Sequence, residues 1–391
     1  MNGSLRIARI LGIPIVVNVS WLVTLAFITS ILALQVYPEV FPPRSPHRND
    51  LVLHWAMALV SGLSFFLSII LHELAHSLVA RHQGIPVKSI TLFIFGGVSQ
   101  IGGEARRPLN EFIMAIVGPL TSLLLGGAFF GAWWLLGSSE ASPVSIVVEW
   151  LFLMNVIVAA FNMAPGFPMD GGRVLRSIIW GISGNIFKAT RLATLVGRSL
   201  GYTLMIIGAI AFLRLIDFID PWSGAWLAVL GLFIESQARQ SWFQAKALDV
   251  LSQYKAEDLM SADLSTAYGT DELRYLVSRV GRRFMYFVAD DDENVVGVLT
   301  EREAEPAITS FDTRKTAADV MLATNTIPVA ALREDGASML QRMEAGSIWH
   351  LPVVKEGRVV GVVSKEALLR LLARAMLPQR RLSSGQAGPA A

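Results

Sequence analysis

The chain contains no cysteine, and that one absence removes disulfide scaffolds, thiolate nucleophiles and Cys-based zinc or iron-sulfur sites together. Any metal must therefore be held by nitrogen and oxygen. Charge is also scarce: 16% of the 391 residues are Asp, Glu, Lys or Arg, against about 25% in an ordinary soluble domain. The 33 basic and 31 acidic side chains nearly cancel, to a formal +2. That leaves no basic excess to neutralise a phosphate backbone, and no nucleic-acid partner is expected. What is abundant is apolar surface, 53% of residues with a mean hydropathy of +0.51. A wholly soluble protein is excluded.

The apolar residues are concentrated before about position 243. Stretches free of Asp, Glu, Lys and Arg run from Ile10 to Pro38, from Leu51 up to Glu73, from Phe112 to Ser139 and from Trp150 to Met169. Each reaches the roughly 20 helical residues needed to cross the hydrocarbon layer. A fifth span is expected over about 187–216, with Arg198 in its interior, and a sixth over about 221–243, whose uncharged core from Pro221 to Ile234 is short. The first stretch is too long for a signal-peptide core and reads as a retained span. The expected fold is thus a polytopic α-helical membrane protein of about six transmembrane helices. With the N-terminus inside, Arg6, Arg9, Arg81, Lys88, Arg106, Arg107, Arg173, Arg176, Lys188 and Arg191 fall on the cytoplasmic side, and Arg44, Arg48 and Arg214 outside. That bias sets the orientation and returns the C-terminal part to the cytoplasm.

At the end of the second span stands His72-Glu73-Leu74-Ala75-His76, a match to H-E-x-x-H. On a helix His72 and His76 share a face and can hold one ion, while Glu73 reaches a water beside it as general base. Two imidazoles and a carboxylate next to Leu67-Ser68-Ile69-Ile70-Leu71 are costly to desolvate, so they mark function. A catalytic zinc needs a third protein ligand. The candidate is Asp170, in the Pro- and Gly-rich turn Asn162-Met163-Ala164-Pro165-Gly166-Phe167-Pro168-Met169-Asp170-Gly171-Gly172, which the topology puts on the same side as His72 and His76. An alternative makes Asp170 the N-cap of a following helix. Ser89 to Gly103 alternates like a strand pair with Gly at its bends and is the one strand-like run read within the membrane part. Gly118-Pro119 and Gly126-Gly127 read as close-packing positions in the third span.

The two motifs together resemble the site-2 protease family of intramembrane zinc metalloproteases, whose second motif reads N-x-x-P-x-x-P-x-D-G-G. The resemblance implies one zinc per chain held by His72, His76 and Asp170, Glu73 as catalytic base, and Asn162 as a polar residue near the substrate or its oxyanion. It implies a multi-pass protein of a prokaryotic plasma membrane. Its expected substrates are single-pass or multi-pass membrane proteins, such as a membrane-bound transcription regulator or anti-sigma factor. The Ser89 to Gly103 pair becomes a hairpin that dips into the lipid bilayer and holds an unwound substrate segment as an added strand.

From about Ala256 the composition turns to that of a soluble α/β module containing a degenerate repeat. Asp258-Leu259-Met260 recurs as Asp319-Val320-Met321, and Val295-Val296-Gly297-Val298-Leu299-Thr300 as Val359-Val360-Gly361-Val362-Val363-Ser364. These residues, with Gly346 through Val354, resemble a tandem pair of cystathionine-β-synthase (CBS) domains, which implies a regulatory or homo-oligomerising unit and an adenine nucleotide as a candidate ligand. Thr300 and Glu303 match the nucleotide-gripping pair of such domains loosely, and Ser364 is followed by Ala367, which lacks a carboxylate. The expected organisation is a protease domain over 1–243, a linker and first CBS repeat over 244–306, a second repeat over 317–374 and a disordered tail over 379–391. The rival readings are a CBS-regulated ion or metal transporter and a zinc-binding pseudoprotease.

Overall fold

Ile13 and Ile15 alternate with half-buried neighbours, and so do Ile90 and Leu92. This period of two belongs to strands with one face on a core. In the computed structural model, β1 (Ser4–Ile10) and β2 (Ile13–Asn18) form an antiparallel hairpin, turned at Leu11 and Gly12, both at positive φ. The structure describes residues 4–94, 96–137, 142–216, 218–262, 266–280, 285–290, 295–300, 304–305, 315–323, 328–346, 348–356 and 358–376. The expected tail and Glu303 lie outside them. The chain divides into two compact units, Met1–Phe243 and Gln244–Ala391.

In the first unit α1 (Val19–Ile31) is capped by the Asn18 side chain and continues through a π-helical turn (Leu32–Val36) into α2 (Tyr37–Val40). The 32-residue α3 (Leu51–His82) follows, then β3 (Val87–Phe93) and β4 (Gly96–Ile101). The strands make one sheet in the order β1-β2-β3-β4, with β2 parallel to β3 through Ile15↔Ile90 and Val17↔Leu92. Its buried face, Ile13, Ile15, Ile90 and Leu92, packs on Ile70 and Leu74 of α3. The helices α4 (Pro108–Leu135), α5 (Pro143–Asn162), α6 (Asp170–Ser183), α7 (Ile186–Phe212) and α8 (Pro221–Ser252) complete the series.

One expectation is corrected. The apolar run from Ile10 is not helical at its start: residues up to Asn18 pair as strands, and the first span is Val19–Val40. The Ser89 to Gly103 pair is therefore half of a sheet and not an isolated hairpin. Among the described residues five helices are long and apolar enough to cross a membrane by length and composition, in keeping with a polytopic α-helical membrane fold. The sixth candidate, α8, has the length, but Glu235, Arg239 and Lys246 interrupt its hydrophobic stretch. Its first half nevertheless runs antiparallel along α7 at close range. A Cβ on Gly208 would lie 2.4 Å from Ala228 N, and one on Gly201 would lie 2.8 Å from Gly231 O. Small residues allow such an approach where lipid supplies no hydrophobic drive between helices.

In the second unit α9 (Ala256–Leu259), β5 (Thr266–Tyr268), α10 (Leu273–Val280), β6 (Met285–Ala289) and β7 (Val295–Thr300) make the first repeat. The second comprises α11 (Ala317–Val320), β8 (Leu322–Ala323), β9 (Ala330–Ala331), α12 (Gly336–Gly346), β10 (His350–Lys355), β11 (Arg358–Ser364) and α13 (Lys365–Met376). The repeated Asp does the same work twice. Asp258 Oδ2 accepts from Lys255 N at 2.8 Å, and Asp319 Oδ2 accepts from Thr316 N at 2.9 Å, each fixing a four-residue helix. The Thr316 amide and hydroxyl hold the Asp319 carboxyl below its ordinary value.

The repeats also exchange parts. Met260 of the first packs under Gly361 of the second, where a Cβ would lie 2.6 Å from its sulfur. Met321 of the second packs under Gly297 of the first, at 2.3 Å. β8 closes the first sheet by pairing with β7, and Ser261 bridges Val362 of β11. Each sequence repeat is thus completed by the leading segment of the other.

Candidate metal centre

His72 and His76 lie one turn apart on α3, each 4% exposed. Asp170 reaches them from the turn after α5. That turn closes tightly because Gly171 and Gly172 follow Asp170: a Cβ on the first would lie 2.3 Å from Met163 O, and one on the second 2.3 Å from Gly166 C. Asp170 is the first residue of α6 and Met169 the cap residue. The alternative of Asp170 as an N-cap is therefore not what forms, and its carboxylate points elsewhere. Glu111 of α4, fully buried, accepts from Arg176 Nε at 2.7 Å and ties α6 to α4.

The three groups converge. His72 Nε2 and His76 Nε2 are each 3.2 Å from Asp170 Oδ2 and 3.2 Å from one another. Tetrahedral zinc with bonds of about 2.0–2.1 Å requires edges of about 3.3 Å between ligand atoms, so the triangle has the size of one face of such a site. The outer nitrogens are also committed. His76 Nδ1 donates to the Met114 carbonyl at 2.6 Å, which leaves Nε2 a bare lone pair, and His72 Nδ1 is 2.9 Å from Ser122 Oγ. With Ser122 accepting from His72 Nδ1, both imidazoles present an Nε2 lone pair beside the Asp170 carboxylate oxygen, a set that a cation would satisfy. The donor set fits zinc.

Glu73, beside this triangle, is held by the sheet. Ser99 of β4 donates to Glu73 Oε2 at 2.7 Å, and Ser77 donates to Ser99 at 3.1 Å. β4 is an outer strand of its sheet, so the general-base candidate is tied to a strand with a free edge. Gly97 of the same strand lies against it, since a Cβ there would be 2.8 Å from Glu73 Cγ. Asn162 closes α5, half-buried. Among the described residues its side chain makes no hydrogen bond to His72, His76 or Asp170. Thr300 ends β7, and Ser364, its counterpart, accepts from Ala367 N at 3.1 Å as the cap of α13.

Sequence reasoning missed one residue at the site. Gly118, read there as a packing position, is where α4 crosses the histidines: a Cβ would lie 2.1 Å from His76 Nε2 and 2.6 Å from His72 Nε2. Nothing in its own sequence neighbourhood distinguishes it from Gly127, which faces open space.

The chain is 31% identical over 383 residues to "Putative zinc metalloprotease sll0528" of Synechocystis, covering 95% of this chain and 96% of that one. It belongs to the family of these metalloproteases. The model of peptidase family M50, the site-2 protease family, matches residues 61–142 and 134–206, which include His72, Glu73, His76 and Asp170. A CBS domain model matches 317–374, within the α/β unit. A second relative, "Putative zinc metalloprotease Rip3" of Mycobacterium tuberculosis, is 32% identical over 382 residues, 95% of this chain and 93% of that one. A solved site-2 protease from Methanocaldococcus jannaschii is 26% identical, with a TM-score of 0.42, over 61% of this chain and 95% of that one.

Proposed function

We propose that the chain is an intramembrane zinc endopeptidase that cuts the transmembrane segments of membrane-tethered proteins near the cytoplasmic face. The observation that carries this reading is the coupling of three elements: the His72, His76 and Asp170 triangle, the adjacent Glu73, and the outer strand β4 that holds Glu73 through Ser99. His72, His76 and Asp170 would hold the ion. Bound zinc supplies the Lewis acidity that polarises a peptide carbonyl and lets water lose a proton near neutral pH. With Oε2 engaged by Ser99, Glu73 has Oε1 free to take the proton from the attacking water and return it to the leaving amine.

A helical substrate hides its carbonyls in its own hydrogen bonds. Pairing an unwound stretch to the free edge of β4 replaces those bonds and brings a carbonyl beside Glu73. His76 lies six residues before the end of α3, about 9 Å at 1.5 Å per residue, which supports cleavage near one membrane face. Tethered transcription regulators are the substrates that the family implies. Comparing the membrane proteins of cells carrying the active chain with those carrying His76→Ala tests the reading. Full-length tethered proteins should accumulate with the variant and be shortened inside a transmembrane segment by the active chain. An unchanged membrane protein complement sinks it.

The orientation belongs to the same proposal. Because α8 runs back along α7, a reporter fused after Lys246 should read on the same side as one at the N-terminus, the cytoplasm. Opposite readings would mean that α8 does not return through the membrane. A CBS pair on that side would meet cytoplasmic nucleotides. Ala367 offers no carboxylate three residues after Ser364, which leaves Thr300 and Glu303 as the candidate binding half.

A further inference from the structure

Arg191, Thr194, Leu195 and Arg198 recur at helical spacing and share one face of α7. With Trp242 of α8 they line a cavity of about 300 Å³. Arg198 Nε donates to Glu235 Oε1 at 3.2 Å, and its Nη2 donates to Tyr202 Oη at 3.0 Å. Arg239 shares the same carboxylate at 3.8 Å. Among the described residues Arg191 has no carboxylate within ion-pair distance. Arg198 and Arg239 thus share one carboxylate, while Arg191, which lines the cavity with Arg198 in the first four turns of α7, has none.

An arginine in a guanidinium-lined cavity at this depth needs an anion or water, and water becomes scarcer along the helix. Arg191 and Arg198 lie five and twelve residues into α7, about 8 and 18 Å from its start. That places them at the headgroup level and just beneath it. Arg198 keeps three of its five N–H groups and Arg191 all five, in the planar forks that match phosphate oxygens. Trp242 supplies an indole of the kind found at membrane interfaces, while Leu195, 57% exposed, adds apolar surface to the wall. Basic pockets between membrane helices take anionic headgroups.

We propose that this cavity binds the phosphate group of an anionic membrane lipid, with the two arginines on the phosphate and the acyl chain along α7. The neighbouring face of the same turns holds the metal-ligand loop: Phe167 N donates to the Ala193 carbonyl at 3.3 Å, and Gly197 lies against the Phe167 backbone. An occupied cavity thus braces the helix on which the Asp170 turn rests.

The test uses the full chain in phosphatidylcholine vesicles containing a minor share of brominated phosphatidylglycerol or, in parallel, brominated phosphatidylcholine. The readout is the part of the tryptophan fluorescence that Trp242→Phe removes. Brominated phosphatidylglycerol should quench that part preferentially. Arg191→Gln, which breaks no ion pair, should reduce the preference about fivefold, and Arg191→Lys should restore much of it. A preference that persists in millimolar inorganic phosphate identifies the lipid as occupant. One abolished by phosphate without a change in ionic strength assigns the cavity to the free ion and overturns the lipid assignment. Equal quenching by the two lipids, or an unaltered preference in Arg191→Gln, overturns the site itself.

Discussion

Glu73→Gln is expected to lower cleavage by about 10²- to 10⁴-fold, the usual contribution of a positioned general base, while zinc stays at one per chain. The separation follows from geometry. The triangle that could hold the ion consists of His72, His76 and Asp170, whereas one oxygen of Glu73 accepts from Ser99. An amide in place of the carboxylate cannot accept the water's proton, yet it keeps the shape and touches no ligand. Metal analysis beside single-turnover cleavage decides the point. Zinc lost together with activity would make Glu73 a ligand or a structural support. Ser99→Ala provides the graded companion: it frees the carboxylate and should cost about tenfold in kcat, with KM and zinc unchanged. Ser99→Thr, which keeps the hydroxyl, should recover most of it.

Gly118→Ala should empty the metal site without unfolding the chain. Alanine is favoured over glycine in a helix by about 1 kcal/mol, so the backbone of α4 gains. The added methyl, however, would sit 2.1 Å from His76 Nε2, at the atom that has to face the ion. The imidazole cannot swing aside freely, because its Nδ1 is held by Met114 O and the neighbouring ring by Ser122. Disturbing the surroundings of metal ligands costs 10- to 100-fold in affinity, and a methyl placed within the ligand triangle should reach or exceed the upper figure. Gly127→Ala, on the same helix with open space around it, is the control and should keep full zinc. Normal zinc affinity in Gly118→Ala would show that α4 stands farther from the histidines.

The convergence of His72, His76 and Asp170 was legible in the sequence because H-E-x-x-H encodes a helical face and the Pro and Gly turn encodes a sharp reversal after a span. Gly118 was not, since a glycine's role lies in whatever crosses it, here a helix some 40 residues earlier. The first hairpin was hidden for another reason: between Ile10 and Asn18 the chain is apolar and β-branched, and such a run reads as strand or as the start of a span with equal ease. Only its pairing with Ile90 and Leu92 decides it. For α8 the difficulty was the opposite, a helix whose membrane character depends on glycine contacts with α7 rather than on its own hydropathy. The repeat in the second unit was visible as a spacing of motifs, but a spacing carries no information about which half each motif serves.

That exchange has a consequence during synthesis. The sheet of β5, β6 and β7 lacks its closing strand until Leu322–Ala323 has left the ribosome, 22 residues after Thr300. At 5–20 residues per second the nascent chain waits about one to four seconds with the edge of β7 unpaired and the seat of Met321 empty. During that interval the unpaired edge and the empty seat are the surfaces that a chaperone or another unfinished copy would meet, until the second repeat reaches back to close them.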